Sequence, residues 1–378
     1  MNEEIKQDDF YEDEDDLLNQ KYQKYNEAVM WGTDWTTETI VSQLEKGNID
    51  LNPDFQRRNA WKDEQKSALI ESLILGVPVP QIILAERKDK KNAYIVIDGK
   101  QRLLSILNFY SKKEEEKSAP LKLKGLKILT QLNGKTFTDI EEDAILCDFL
   151  PQLENQTIRT IIIKAWPDEN YLYTVFLRLN TGSLKLSPQE LRQALHPGLF
   201  LNYINEYTMK ENPIRDILKI KAPDKRMRDV EFLLRYFAFK NYMNLYDGSL
   251  KTFLDTTCKE LNSRWENESN EIQNQLNELE NAIIFTKEVF GDDSFKVYNN
   301  GYEKLLNRTI FDVFVIYFSN KENRNVLNNK RSEIKNAFEN LMSSDKDFLL
   351  YTAVSTKNKN RTLYRFSKFN ETMDALKK

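Results

Sequence analysis

The sequence predicts an α+β protein in which strands and helices mix over the first half and helices alone fill the second. The β-branched runs Gln81–Ala85, Tyr94–Ile97 and Thr157–Lys164 read as buried strands, and all lie before residue 198. Between them, apolar residues recur three and four apart, as on one face of a helix. From about residue 199 no strand pattern appears, while helical patterns recur at 229–243, 249–262, 271–290, 300–318 and 330–342. The expected division is an acidic tail over 1–30, a mixed domain over 31–198 and an all-helical domain over 199–378.

Residues 1–16 carry nine acidic side chains and one lysine, so the other 362 residues sum to +4 against an overall −4. Such a run reads as a disordered, solvating tail. Thr36 to Lys46 predicts a short helix closed by Gly47, and Ile49 to Leu51 opens an extended segment. That segment continues as Asn52-Pro53-Asp54-Phe55-Gln56-Arg57-Arg58-Asn59-Ala60-Trp61, which lacks helical periodicity. It reads as a loop presenting Gln56, Arg57 and Arg58 to an anion, or as a surface loop anchored by Phe55 and Trp61. Asp63 is expected to cap a helix with residues 69, 70, 73 and 74 on its apolar face and Gly76 at its end. Pro78 and Pro80 stiffen the approach to the strand at 81–85, and the polar stretch 87–92 turns it into the strand at 94–97. A charged loop (111–120), a short strand near 121–128 and a helix near 138–150 are expected before the strand at 157–164.

The rest of the chain is organised around residues 94–110. Asp98-Gly99 breaks the strand, and apolar residues at 103, 106, 107 and 110 then follow helical spacing. Lys100, Gln101 and Arg102 thus fall in the first helical turn, where free N–H groups and a partial positive charge attract anions. Cationic side chains there oppose the helix dipole, a conflict that a bound polyanion resolves. Gly99 lets phosphates approach the backbone. The plainer alternative is a simple turn with solvated side chains. Further on, Asp168 to Leu179 predicts a helix with Tyr171, Val175, Phe176 and Leu179 on its apolar side. Ser187-Pro188-Gln189-Glu190 is a capping box with proline at the first helical position, which explains Glu190 structurally. Asn180 and Thr181 lie in the link between these helices, a place suited to gripping a ligand or ion.

Composition excludes several classes. Apolar runs fall short of the ~18 residues that span a bilayer, and the acidic N-terminal sequence is unlike a secretory leader. The two cysteines, Cys147 and Cys258, read as buried thiols of a reducing cytoplasm. The single histidine, His196, excludes a His-rich zinc site and multi-histidine nuclease motifs. Placed before Pro197 and Gly198, it reads as a helix-capping residue. Two stretches are basic: Lys219–Arg228, with Lys221, Lys225 and Arg226, and Lys357–Lys368. In the second, Lys359, Arg361 and Arg365 interleave with Tyr364, Phe366 and Phe369, a mixture that holds nucleic acid or else forms the solvated face of an amphipathic helix.

Several motifs occur in a fixed order: Pro53-x-x-Gln56-Arg57-x-x-x-Trp61, Gly76-x-Pro78-x-Pro80, Asp98-Gly99-Lys100-Gln101-Arg102, Phe176-x-Arg178-x-Asn180-Thr181-Gly182 and Leu186-Ser187-Pro188-Gln189-Glu190-Leu191-Arg192. The series resembles the ParB-like domain of GmrSD-type restriction enzymes (the GmrS half) and of SspE-type phage-defence proteins, over roughly residues 35–260. The resemblance implies a ParB/sulfiredoxin-like N-terminal domain that binds a nucleoside triphosphate with Mg²⁺ and hydrolyses it. In that reading Asp98, Gln101 and Arg102 form the catalytic set. Gln56, Arg57, Arg58, Gly99, Lys100, Arg178, Asn180 and Thr181 hold phosphates, with Asn180 on the metal side. Asp98 would orient metal, water or the turn, and Gln101 would position the attacking water. Position 100 departs from the family's usual glutamine. The HNH nuclease module that follows this domain in such proteins needs several histidines, so the nuclease is expected to be absent, degenerate or supplied by a separate polypeptide. The expected protein is a cytoplasmic, nucleotide-hydrolysing regulatory subunit of a bacterial anti-phage or modification-dependent restriction system, acting with DNA and compatible with an oligomer. The rival reading is a non-catalytic DNA-binding module that recruits a partner nuclease. An autonomous nuclease is disfavoured because no dense acidic cluster accompanies the arginines.

Overall fold

Thr36 ends one strand and caps the next helix, its hydroxyl accepting the Thr39 N–H at 3.1 Å. The computed structural model describes residues 28–51, 61–111, 120–179, 187–353 and 358–378. Two units divide at Leu195/His196. The first contains strands β1 (Val29–Thr36), β2 (Ile49–Asp50), β3 (Ile82–Glu86), β4 (Tyr94–Asp98) and β5 (Thr157–Lys164). Its helices are α1 (Thr37–Glu45), α2 (Asp63–Ile74), α3 (Lys100–Tyr110), α4 (Phe137–Glu141), α5 (Phe149–Asn155), α6 (Glu169–Leu179) and α7 (Pro188–Leu195).

The strands form one mixed sheet in the order β1-β5-β3-β4-β2. β3 pairs antiparallel with β4 and parallel with β5, β1 runs antiparallel to β5, and β2 runs parallel to β4. Side chains alternate between its faces, as the pleat requires. Ile82, Leu84, Tyr94, Val96, Ile158 and Ile162 join a core with α1, α2 and α3. Ile83, Ala85, Ile95, Ile97 and Ile163 face the other way, onto Tyr171, Leu172 and Phe176 of α6 and Leu191 of α7. Both faces are therefore covered by helices, and β4 is buried on both sides up to Ile97.

Three local expectations need correction. Residues 121–128 are not a strand. Leu121, Leu123 and Leu126 are buried, but Gly125 turns the chain at φ +73° and side chains of α2 take the backbone donors. Ser67 Oγ accepts the Lys124 N–H at 3.0 Å, and Glu71 Oε1 accepts those of Ile128 and Leu129 at 2.8 Å each. The helix expected at 138–150 is split, because the Asp143 carboxylate accepts the N–H groups of Ile145 (3.0 Å) and Leu146 (3.1 Å) and stops α4. The cap of α2 is Lys62 and not Asp63, with Gln65 Oε1 accepting the Lys62 N–H at 3.1 Å. Val29 and Met30, counted with the tail in the sequence, begin β1; residues 1–27 lie outside the described residues.

Glu71 carries a testable pH dependence. Burial pushes its carboxyl up, but the N–H groups of Leu129, Ile128 and Lys127 outweigh this and hold it below the usual range. A carboxyl depressed in the folded state contributes stability that is complete above the ordinary carboxylate range and lost as pH falls through the depressed value. Glu71→Gln is expected to cost about 1–3 kcal/mol at neutral pH and to flatten the acid side of a melting-temperature-against-pH curve.

The second unit is helical: α8 (Leu199–Thr208), α9 (Pro213–Leu218), α10 (Arg228–Tyr242), α11 (Leu250–Phe290), α12 (Arg308–Ser319), α13 (Lys321–Leu327), α14 (Arg331–Ser344), α15 (Lys346–Ala353) and α16 (Lys359–Ala375). The patterns at 249–262 and 271–290 fuse into the single helix α11, kinked at Glu268 (φ −127°), whose carboxylate binds Arg264. His196 is buried directly after the end of α7. Its Nε2 stands 3.9 Å from Asp255, and its carbonyl accepts Asn262 Nδ2 at 3.1 Å. No helix among the described residues is long and apolar enough to cross a membrane.

Candidate functional site

The site is built where the core strand β4 gives way to α3. Asp98 ends the strand, and Gly99 takes the left-handed conformation (φ +98°) that starts the helix at Lys100. Only glycine suits this corner. A Cβ at residue 99 would lie 3.0 Å from Ile82 Cγ1, and 3.3 Å from both Ile82 Cα and Arg102 Nη2. Gly99→Ala is therefore expected to cost about 1–2 kcal/mol for the backbone conformation and about 1–3 kcal/mol for overpacking. Chemical denaturation measures the loss.

Arg102 folds back across the corner. Its Nη2 donates to Asp98 Oδ2 at 2.9 Å and to the Gln81 carbonyl at 2.8 Å, fastening the start of α3 to the chain just before β3. The guanidinium is mostly buried (12% exposed), and its Nε has no hydrogen-bond partner among the described residues. The Asp98 carboxylate is 40% exposed. Gln101 is half-buried, and its Oε1 accepts the Trp61 N–H at 3.2 Å. Lys100 is buried, at 8% exposure. The strand, turn and helix expected over residues 94–110 are thus present, with Asp98 to Arg102 at the corner.

Arg178 is exposed in the last turn of α6. It belongs to the helix layer on the sheet face opposite the one on which α3 packs. Gln56, Arg57, Arg58, Asn180 and Thr181 lie outside the described residues, and with them the expected shared arginine pocket and the Asn180 metal position. The capping box is present: Ser187 N–H donates to Glu190 Oε2 at 2.6 Å, and Glu190 N–H to Ser187 Oγ at 3.1 Å.

Two polar arrangements in the first unit were not read from the sequence. The first is the acceptor pair around Arg102, since a backbone carbonyl of Gln81 leaves no mark in residue identity. The second is a buried polar row on α7, where Gln189, Arg192 and Gln193 are each no more than 1% exposed and Arg192 Nη1 donates to Gln189 Oε1 at 2.7 Å. Their i, i+3 spacing was available as a signal. The basic–aromatic stretch near the C-terminus is amphipathic, with Lys359 exposed and its aromatic side internal. Phe366, Phe369 and Arg365 are buried, Arg365 Nη1 donates to the Tyr351 carbonyl at 2.8 Å, and Tyr364 bonds Asp345 at 2.8 Å. In the other basic stretch Arg228 pairs with Asp224 at 2.6 Å, while Lys221 and Lys225 are exposed.

No curated protein and no solved structure matches the chain. Residues 37–197, which hold strands β2 to β5 and the Asp98–Arg102 corner, match the family model described as GmrSD restriction endonuclease, N-terminal domain.

Proposed function

We propose that this chain is a cytoplasmic, nucleotide-hydrolysing regulatory subunit of a bacterial phage-defence or modification-dependent restriction system, built on a ParB/sulfiredoxin-like domain. The observation that carries the reading is the corner at Asp98–Arg102. A Cβ-free residue precedes a helix N-terminus whose first N–H groups have no partner within the helix. A mostly buried guanidinium lies against it, its Nε without a hydrogen-bond partner among the described residues. That donor set fits a phosphate group, and the Asp98 carboxylate offers oxygen to a hard cation such as Mg²⁺. The match to the GmrSD N-terminal family supports the restriction context.

Mg²⁺ would neutralise triphosphate charge and polarise the terminal phosphoryl group when bound. The chain's own contribution is positioning and charge stabilisation. Arg102 meets phosphate charge, Gly99 opens the backbone to it, and Asp98 holds Arg102 in place. Gln56, Arg57, Arg58 and Lys100 add cationic or amide donors, with Arg178, Asn180 and Thr181 as further phosphate ligands and Asn180 on the metal side. DNA and a nuclease supplied in trans complete the proposed assembly.

The test is a phosphate-release assay with each of the four ribonucleoside triphosphates and Mg²⁺, with and without DNA. The reading expects release with at least one of them, lost in Asp98→Asn. No release and no saturable triphosphate binding would leave DNA binding without catalysis as the better account.

A further inference from the structure

Gln101 is committed to the backbone of another element. Its Oε1 accepts the Trp61 N–H at 3.2 Å, joining residues forty positions apart. The next N–H, that of Lys62, is taken by Gln65 Oε1 at 3.1 Å. Two glutamine acceptors therefore fasten successive N–H groups where the chain enters α2. The Trp61 side chain packs half-buried against the core between the sheet and α1–α3. Gln101 is itself held, because its carbonyl accepts the Ser105 hydroxyl at 2.6 Å one helical turn on. Trp61 follows the Gln56-Arg57-Arg58 motif by three residues in the sequence.

We propose that Gln101 is a positioning residue, which holds Trp61 and the start of α2 on the first turn of α3, rather than the group that orients an attacking water. The clasp stands on geometry alone; its effect on catalysis rests on the triphosphate reading above. A side chain that orients the nucleophile has to spend its hydrogen-bonding atoms on water in the reacting complex. Here the carbonyl oxygen is spent on the protein. Losing the clasp should therefore impair ligand binding through the placement of residue 61, with less effect on the rate once ligand is bound.

The direct test is hydrogen exchange at the Trp61 amide in protein labelled with ¹⁵N-tryptophan, the resonance being assigned through Trp61→Phe. Gln101→Ala, which removes the acceptor, is expected to speed exchange about threefold to tenfold, the loss of one ordinary hydrogen bond. Gln101→Glu keeps an acceptor of the same reach and is expected to exchange like the wild type. In parallel, Kd and saturated turnover are measured for the Mg²⁺ triphosphates: Gln101→Ala should raise Kd by a larger factor than it lowers turnover. Unchanged exchange in Gln101→Ala overturns the clasp, and turnover lost at an unaltered Kd overturns the positioning role. If the wild type binds no triphosphate, the nucleotide reading falls, and the exchange rates still decide the role of Gln101.

Discussion

Arg102→Ala is expected to weaken Mg²⁺-triphosphate binding about 10- to 100-fold, the value of one charge-assisted hydrogen bond to a phosphate. The side chain has two tasks in the structure. Nη2 is occupied by Asp98 and Gln81, which fixes the guanidinium, while the buried Nε has no hydrogen-bond partner among the described residues. Removing the side chain deletes the donor and frees the corner that it fastens. The stability cost should stay near about 1 kcal/mol, because the Asp98 partner is 40% exposed and water compensates for its loss. Binding and stability thus separate, and calorimetric titration beside a thermal melt reads both. Arg102→Lys retains the charge but not the planar fork, so it should bind with intermediate affinity.

The largest stability effect is expected from Arg235→Ala in the helical unit. Arg235 on α10 meets Asp312 on α12 through two bonds, Nε to Oδ1 at 3.1 Å and Nη2 to Oδ2, with both side chains almost wholly buried. A second pair, Arg308 with Glu231 at 3.3 Å, joins the same two helices. Burial pushes the Asp312 carboxyl up, against the pull of Arg235, Arg365 and Arg308. Truncating Arg235 strips that carboxylate of its bidentate partner in an apolar interior, which costs about 3–5 kcal/mol. Replacing both partners, as Arg235→Met with Asp312→Leu, should fall within about 1 kcal/mol of the wild type, because the pair's attraction does little more than offset its desolvation. Scanning calorimetry compares the two proteins. Equal losses in the single and double variants would contradict the account.

How much was legible in the sequence depended on how local the causes were. The strand–glycine–helix corner was legible because strand periodicity, Gly99 and helical spacing adjoin one another. The capping box at Ser187 and Glu190 was legible for the same reason, since both partners lie within one turn. The segment at 121–128 misled because Leu121, Leu123 and Leu126 are buried as in a strand. Its N–H groups are nevertheless taken by Ser67 and Glu71, more than fifty residues away. Arg365, Phe366 and Phe369 left a nucleic-acid stripe open beside an amphipathic helix, because residue type does not reveal that a cation is satisfied internally, here by the Tyr351 carbonyl. The clasp between Gln101 and Trp61 was invisible for the same reason: it joins elements whose contact only the fold creates.

The central claim is that the turn between β4 and α3 holds a triphosphate and not a DNA backbone. It is tested most directly by titrating the wild-type protein with each Mg²⁺ triphosphate, and with duplex DNA, at low and moderate salt. The account predicts saturable binding of at least one triphosphate, with affinity that shifts less than about tenfold between 50 and 200 mM salt, because few phosphates are engaged. No triphosphate binding, together with DNA affinity that collapses about a thousandfold over the same range, would contradict it.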